Sequence, residues 1–237
     1  MFEDWDVQTR IQDFWDYLFV RSVTIPSYTI THSDNKLLEE AQMRKYDQIF
    51  NEINLKSDDR ILEIGCGWGA CAMRAVKRYG CHWTGLTISM EQFKIAQQVI
   101  RDSELQDKIN IKLLDYRLEN DIYDKIIAIE MIEAVGHEYL SQFLKLCVTA
   151  YVQAVGHTYR EALPSELSII KTVYIGHHYA PTLDLWYCAW MEHEEQILKL
   201  GYSRKFHRKW QFYFALCSTL FRYSNIDAVQ LLIEKSL

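Results

Sequence analysis

In the stretch IAIEMIEAVGHEYL, residues 127–140, four ionisable side chains follow an apolar run. They are Glu130, Glu133, His137 and Glu138. Carboxylates and an imidazole at this spacing could act as a general acid or base, begin a solvated helix, or contribute to a metal site. We expect no metal, because Glu133 and His137 have no third ligand in the surrounding sequence.

A glycine-rich loop, LEIGCGWGA, comes earlier in the chain. Gly65, Gly67 and Gly69 would let the backbone turn tightly and approach a ligand at the start of a helix. With Ala70, the loop also fits a dinucleotide-binding pattern, but the acid that this pattern needs about 20 residues later is missing. Because Glu63 precedes the first glycine by two residues, the loop resembles motif I of S-adenosylmethionine-dependent methyltransferases.

The segment LTISMEQ, residues 86–92, allows two interpretations. Ser89 and Gln92 form an S-x-x-Q capping box, which would satisfy backbone N–H groups at a helix start. Alternatively, Thr87 and Gln92 face the same ligand as the glycine loop. The two interpretations are compatible, because the helix end would border the pocket.

The segments around these residues alternate between the two main periodicities. Helices are predicted at 36–54, 70–79 and about 89–103, and strands at 60–64, 81–86, 109–114 and 124–130. This alternation predicts a doubly wound α/β fold with a parallel sheet, whose ligands bind beyond the carboxyl ends of the strands. Residues 139–155 contain no helix breaker and allow either one long helix or a helix followed by a strand.

Composition narrows the function further. The chain has 237 residues, which one α/β domain can accommodate, and its 32 acidic and 26 basic residues give a net charge of -6. Without an uninterrupted Lys/Arg run, nucleic acid is an unfavourable partner. Because there is neither a long apolar run nor a signal-peptide pattern at the amino end, we expect a cytoplasmic protein with reduced cysteines.

Eight segments, in this order, resemble the cyclopropane fatty acid synthases, a family that includes mycolic acid cyclopropane synthases and cyclopropane-fatty-acyl-phospholipid synthases. They are LEEAQMRKYDQI (38–49), ILEIGCGWGA (61–70), TGLTISMEQ (84–92), DYR (115–117), IEMIEAVGHEYL (129–140), IGHHYAPTLDLW (175–186), LGYSRKFHRKWQFYF (200–214) and IDAVQL (226–231). EMIEAVG and LTIS-x-EQ are more specific than the glycine loop.

The resemblance implies a Rossmann-like S-adenosylmethionine-dependent methyltransferase fold with a helical acyl-binding part. It implies a single domain over 1–237, with an N-terminal helix and cofactor-covering segment (1–35), a cofactor-binding core (36–136), and an acyl-binding and C-terminal part (137–237). The cofactor residues that it suggests are Tyr28, Thr29, Glu63, Gly65, Cys66, Gly67, Gly69, Thr87, Ile88, Gln92, Asp115, Tyr116, Arg117 and Glu130.

The implied reaction adds a methylene across a cis double bond of a phospholipid acyl chain. A bound bicarbonate would remove the proton that leaves when the ring closes, held by Glu133 and Tyr179, with Gln153 at the position of a family histidine. Cys217 matches a cysteine with an assigned active-site role, but its apolar helical stripe favours a packed thiol. The resemblance also implies transient contact with a membrane surface and allows a homodimer.

Two departures from the family leave alternatives open. The Tyr-Ser-Cys-Ala segment that precedes LEEAQ in the family is replaced by SYTITHSDNK, without a cysteine. After Cys147, a Pro-Gly-Gly turn and several dozen residues of acyl-channel wall are missing. The alternatives are an acyl-chain methyltransferase without ring closure, a methyltransferase for another small hydrophobic acceptor, and an inactive protein that binds the cofactor and pairs with an enzyme.

Overall fold

The computed structural model describes residues 35–132, 135–146, 149–155 and 163–235 of the protein. These residues form two compact units, each built from two stretches of chain. The sheet unit comprises the described residues within 46–177 and 220–235, and the helical unit comprises 35–45 and 178–219. The division 1–35, 36–136 and 137–237 within one domain stays a prediction, and nearly all of its first segment lies outside the described residues.

The elements alternate through the sheet unit and become helical in the second half. The strands are β1 (Arg60–Ile64), β2 (His82–Thr87), β3 (Ile109–Leu113), β4 (Lys125–Ile129), β5 (Thr149–Val155), β6 (Leu167–Tyr174) and β7 (Ala228–Lys235). The α-helices are α1 (Asn35–Glu52), α2 (Ala70–Tyr79), α3 (Met90–Asp102), α4 (Leu140–Leu146), α5 (Tyr179–Glu192), α6 (Glu194–Lys199) and α7 (Arg204–Arg222). Short 3₁₀ turns span Tyr116–Leu118, His137–Tyr139 and Gly176–His178.

The strands form one sheet in the order β3-β2-β1-β4-β5-β7-β6. Neighbours from β3 to β5 are parallel, whereas β7 runs antiparallel to both β5 and β6. The strand order reverses between β1 and β4, and such reversal points are where open α/β sheets bind ligands. The predicted doubly wound α/β fold is confirmed.

Successive side chains of a strand point to opposite faces of a sheet. Both faces of this sheet are covered by other side chains. On one face, Phe50 of α1 packs edge to face on Trp83, with ring centroids 6.2 Å apart. On the other face, Leu62 and Leu86 belong to one buried cluster with Phe143 of α4. Burial on both faces explains why β1 and β4 are nearly continuous apolar runs.

An ion-pair cluster joins α1 to the helix that follows the glycine loop. Asp47 accepts hydrogen bonds from Arg74 at 3.0 and 2.9 Å and lies 2.5 Å from Arg78. The Arg74 guanidinium lowers the pKa of the Asp47 carboxyl, so the ion pair persists at neutral pH. The cluster fixes α2, and therefore the end of the loop that leads into it.

The helical unit is organised around a buried tryptophan. Trp190 of α5 stacks on His207 of α7 at 5.1 Å between ring centroids, and its Nε1 donates to the His207 carbonyl at 3.1 Å. His207 Nε2 in turn lies 3.2 Å from the Trp190 carbonyl. This reciprocal pair fixes which side of α7 is buried.

Within the described parts of the chain, no helix combines the length and the apolar character needed to cross a bilayer.

The element predictions hold in the sheet unit. The predicted bounds of β1 and α2 match the structure, and the other predicted elements differ from it by one or two residues at their ends. The open alternative for 139–155 resolves as a helix followed by a strand, because α4 ends at Leu146 and β5 begins at Thr149. Strand β5 then pairs on both sides, with β4 and with β7.

Candidate active site

The glycine loop between β1 and α2 is tied to the end of the neighbouring strand. The backbone N–H groups of Gly65 and Cys66 both donate to the Leu86 carbonyl, at 3.0 and 2.9 Å. The φ angles of Gly65, Gly67 and Gly69 are +80°, +52° and +84°, in the left-handed region that glycine adopts without strain. The three glycines therefore have the predicted conformational role.

The side chain of Cys66 points into the protein. Cys66 is buried, and burial raises the pKa of its thiol, which therefore stays protonated. Its Cβ would lie 2.8 Å from a Cβ added at Gly85 of β2, so the absence of a side chain at Gly85 lets the loop pack this closely. At Cys66, only the backbone is suited to contact a ligand above the loop.

Glu63 lies below the loop, in the interior of the sheet unit. Its carboxyl accepts a hydrogen bond from Trp83 Nε1 at 2.9 Å, and its side chain is buried. Burial raises the pKa of Glu63 to about 8, whereas hydrogen bonds from Trp83 and Cys71 act in the opposite direction. Glu63 is therefore mainly a neutral acid at pH 7, and it supports the loop from underneath.

The space above the loop is open at its centre and covered at its beginning. Among the described residues, a Cβ built on Gly67 would meet no atom within 4 Å, whereas one on Gly65 would lie 2.9 Å from Cγ of Met131. Such an open backbone cradle, at a helix start and a reversal point of the sheet, fits the polar end of a nucleotide-like cofactor.

The end of β2 and the start of α3 supply side chains beside this cradle. The Thr87 hydroxyl donates to Gln92 Oε1 at 2.8 Å and accepts from the backbone N–H of Ser89 at 3.1 Å. Ser89 caps α3 through the Gln92 N–H at 3.3 Å, so half of the predicted capping box forms. The reciprocal half, in which the Gln92 side chain would accept from the Ser89 N–H, is wrong, because Gln92 bonds Thr87 instead. The Gln92 NH₂ group is the end of that side chain suited to a ligand hydroxyl.

Ile88 and the segment after β3 complete this part of the edge. Ile88 has 82% of its side chain exposed, directly after the buried Thr87. Arg117 binds both carboxylate oxygens of Asp115 and lowers its pKa, so this carboxylate is already occupied. Tyr116 packs edge to face on Phe143 at 5.5 Å. Of these four predicted cofactor residues, Ile88 is the most accessible.

Glu130 directly follows β4 and has an unusual backbone conformation. Its φ is +53°, which non-glycine residues adopt only rarely, and the residue is exposed. Such strain is found at functional sites when the surrounding structure enforces it. The sequence predicts Glu130 as a cofactor residue from its position at the strand end, but it does not indicate this backbone conformation.

The remaining predicted residues lie on β5, in the helical unit or outside the described residues. Gln153 lies on β5, opposite Ile129 of β4 and Gln230 of β7, so the backbone places it one strand beyond the β1–β4 reversal. Tyr179 is the buried first residue of α5 in the helical unit. Tyr28, Thr29 and Glu133 lie outside the described residues.

Cys217 is half-buried on α7. Burial raises the pKa of its thiol, and a hydrogen bond with Tyr213 acts in the opposite direction. A thiol that stays protonated at neutral pH is a poor nucleophile. This environment favours the packed-thiol interpretation of Cys217 over attack on a substrate.

Three residues at the site were not singled out from the sequence: Trp83, Gly85 and Met131. Each acts through a partner that is distant in sequence, and only the three-dimensional packing reveals those partners. The pairing of Glu63 with Gly85 also signals a missing side chain beside the loop.

Where the structure describes the chain, no three His, Cys, Asp or Glu side chains lie close enough to hold a metal ion.

The parallel sheet, the glycine loop and the side chains at its carboxyl edge have the arrangement of the S-adenosylmethionine-dependent methyltransferase fold. The sequence matches the family described as mycolic acid cyclopropane synthetase over residues 11–159 and 150–231. The chain belongs to this family. The match breaks and overlaps at 150–159, close to the place where a family segment is expected to be missing.

Similar proteins support this assignment. A tuberculostearic acid methyltransferase of Mycobacterium tuberculosis is 28% identical over 231 residues, 81% of this chain, which spans about half (54%) of that relative's length. Cyclopropane mycolic acid synthase 1 of the same species is 26% identical over 271 positions, covering 95% of this chain and 94% of the relative. An alignment longer than this chain's 237 residues shows that the relative contains residues that this chain lacks.

A crystal structure of a mycolic acid cyclopropane synthase complexed with SAH and CTAB shares the fold. Its TM-score is 0.80 at 24% identity, and the match covers 94% of this chain and 95% of that one. The architecture of the family is therefore preserved across the described residues.

The environment of Glu63 predicts a pH-dependent stability. As pH rises from about 4.5 to about 8, the unfolded chain loses the Glu63 proton while the folded chain keeps it, so the free energy of unfolding falls. Glu63→Gln removes this dependence and keeps an acceptor for Trp83. Its free energy of unfolding should exceed that of the wild type by on the order of a few kcal/mol at pH 8, and the gain should shrink towards pH 5.

Urea unfolding at pH 5, 6, 7 and 8 measures this difference. Glu234→Gln, at an exposed position of β7 in the same sheet, is the matched control and should show no such trend. A Glu63→Gln protein with the pH slope of the wild type would show that Glu63 does not carry this buried proton.

Proposed function

We propose that this protein transfers a methyl group from S-adenosylmethionine to a cis double bond of an unsaturated phospholipid acyl chain and closes a cyclopropane ring. The observation that carries the proposal is the open cradle at Gly67 in a chain that belongs to the cyclopropane synthetase family. The open cradle supports cofactor binding, and family membership supports an acyl chain as the acceptor.

The cofactor would be held along the edge formed by β1, β2 and β3. The backbone of Gly65, Cys66 and Gly67 faces its amino acid part, and Gln92, positioned by Thr87, would donate to the ribose. When bound, S-adenosylmethionine supplies an electrophilic methyl group. Ile88 offers an exposed apolar surface on which the adenine could pack.

The acceptor requires a dry and oriented environment. An isolated double bond is a weak nucleophile, and methyl addition leaves positive charge on the acyl chain until the new methyl loses a proton. The family resemblance assigns the base for that proton to bicarbonate, held by Glu133 and Tyr179. We retain this assignment as part of the proposal, together with Gln153 at the histidine position.

A second candidate is methylation of the acyl chain without ring closure. It is favoured by the name of one relative, a tuberculostearic acid methyltransferase. An inactive partner protein is the third, because a close relative contains residues that this chain lacks. A homodimer, a cytoplasmic location and contact with a membrane surface also stay predictions.

The direct test is incubation of the purified protein with methyl-labelled S-adenosylmethionine and vesicles of cis-unsaturated phospholipid. The proposal predicts fatty acids that gain the mass of one methylene and show upfield cyclopropane protons by NMR. An equal mass gain with olefinic methylene protons would indicate methylation without a ring. Cofactor binding with no transfer would contradict the proposal in favour of the inactive protein.

Glu133→Gln tests the assigned base site. A neutral Gln accepts a hydrogen bond from the bicarbonate hydroxyl more weakly than a carboxylate does. Turnover should therefore fall by at least roughly 100-fold, the range typical of lost acid–base catalysis. The dissociation constant of S-adenosylmethionine should change by less than about twofold. Glu138→Gln, five residues later, is the matched control, and unchanged turnover in Glu133→Gln would refute the assigned role.

A further inference from the structure

Helix α7 presents an exposed face that combines basic and apolar side chains. Lys205, Arg208, Lys209, Phe212 and Leu216 are all exposed, and we call these five residues the α7 face. Phe212 has 68% of its side chain exposed and Leu216 has 42%. At 3.6 residues per turn, all five project from one side of the helix, within a stripe about 17 Å long.

The opposite side of α7 is anchored in the helical unit. His207 and Phe214 are almost completely buried, and Ser218 donates to Asp184 at 2.5 Å and to the Ala180 carbonyl at 3.3 Å. The rotation of the helix about its axis is therefore fixed by packing. A large aromatic and a leucine remain exposed next to a firmly packed core.

The charge of the α7 face is opposite to that of the whole chain. The protein has a net charge of -6, yet Arg204, Lys205, Arg208 and Lys209 lie within six consecutive residues. As far as the structure describes the chain, none of these four side chains forms an ion pair. Among the described residues, their positive charge is not neutralised by an acidic side chain.

We propose that the α7 face docks the protein on an anionic phospholipid bilayer. Lys205, Arg208 and Lys209 would lie at the headgroup phosphates, and Phe212 with Leu216 would enter the boundary between headgroups and acyl chains. The inference rests on the proposed function, because a bilayer is where a phospholipid acyl substrate resides. It goes beyond that function by assigning the contact to one helix face.

The order of residues on the face favours a bilayer over an acidic protein. Basic residues alone would serve either partner. The exposed Phe212 and Leu216 follow the basic residues along the same stripe, and this combination matches a surface that is anionic at its rim and apolar just beneath. An acidic protein that carries the acyl chain is the competing partner.

Vesicle sedimentation measures the proposed contact without any need for catalysis. The probes are vesicles of phosphatidylcholine with and without 30% phosphatidylglycerol, a composition chosen for the assay. Wild type should bind the anionic vesicles more tightly, and binding should weaken as salt is raised. Lys205→Gln with Lys209→Gln should weaken binding by roughly fivefold per lysine, and Phe212→Ala should also weaken it on anionic vesicles.

Matched controls make the same chemical changes elsewhere. Lys56→Gln with Lys77→Gln removes two exposed charges from the sheet unit, and Ile122→Ala truncates an exposed apolar side chain there. Both should bind vesicles as the wild type does, within about twofold. If the α7 variants also bind like the wild type, or if the controls lose as much affinity, the proposal is overturned.

Two further readouts separate this proposal from its rivals. On the same acyl substrate in non-ionic detergent micelles, α7 variants should transfer methyl groups as fast as the wild type, while transfer on anionic vesicles falls. Vesicle binding through α7 in a chain without methyl transfer would overturn the proposed function and leave the docking face standing. Loss of binding to a purified acidic acyl-carrier protein, with vesicle binding intact, would assign the face to that protein instead.

Discussion

The Leu86 carbonyl accepts two hydrogen bonds from the glycine loop, and the geometry of the candidate cofactor site depends on this contact. The N–H groups of Gly65 and Cys66 converge on it at 3.0 and 2.9 Å, so the chain that leaves β1 is fixed on the end of β2. The loop adopts left-handed φ angles at three glycines, and β2 has no side chain at position 85, where the loop packs closely. This packing places Gly67 over open space, next to Thr87 and the start of α3. The parallel pairing of β1 with β2 thus positions the glycine loop to contact a ligand.

The interior beneath this cradle is less stable than an apolar interior would be. A buried carboxyl at Glu63 is held neutral by desolvation and bonded to Trp83, whose ring packs on Phe50 of α1. Glu130 adds a strained backbone at the end of β4. A buried carboxyl beneath a ligand-binding loop is typical of sites selected for binding and not for stability. The helical unit shows the contrasting pattern, in which Trp190 and His207 satisfy each other's polar groups within a packed aromatic core.

Much of the fold and part of the site could be predicted from the sequence. Hydrophobic periodicity located β1 and α2, and the rule that ligands bind at the carboxyl edge brought Glu63, Thr87 and Glu130 together. What failed was the choice of partners: Gln92 bonds Thr87 instead of completing the capping box, and Glu63 bonds Trp83, 20 residues away. These contacts follow from strand register and local packing, which periodicity does not encode. The exposed face of α7 was also missed, because a helical stripe of aromatic residues looks the same from either side until its packing partners are known.

Cofactor affinity tests most directly whether the glycine loop is the ligand cradle. Gly67 and Gly80 both have positive φ, and neither has an atom of the described residues within 4 Å of an added Cβ, but Gly80 lies at the far end of α2. Titration of S-adenosylmethionine into the wild type, Gly67→Ala and Gly80→Ala separates occupancy of the cradle from backbone strain. The expected result is one-to-one binding by the wild type and Gly80→Ala, with at least tenfold weaker binding, about 1.4 kcal/mol, in Gly67→Ala. Equal affinities in all three proteins, or no binding by the folded wild type, would contradict a cofactor site at this loop.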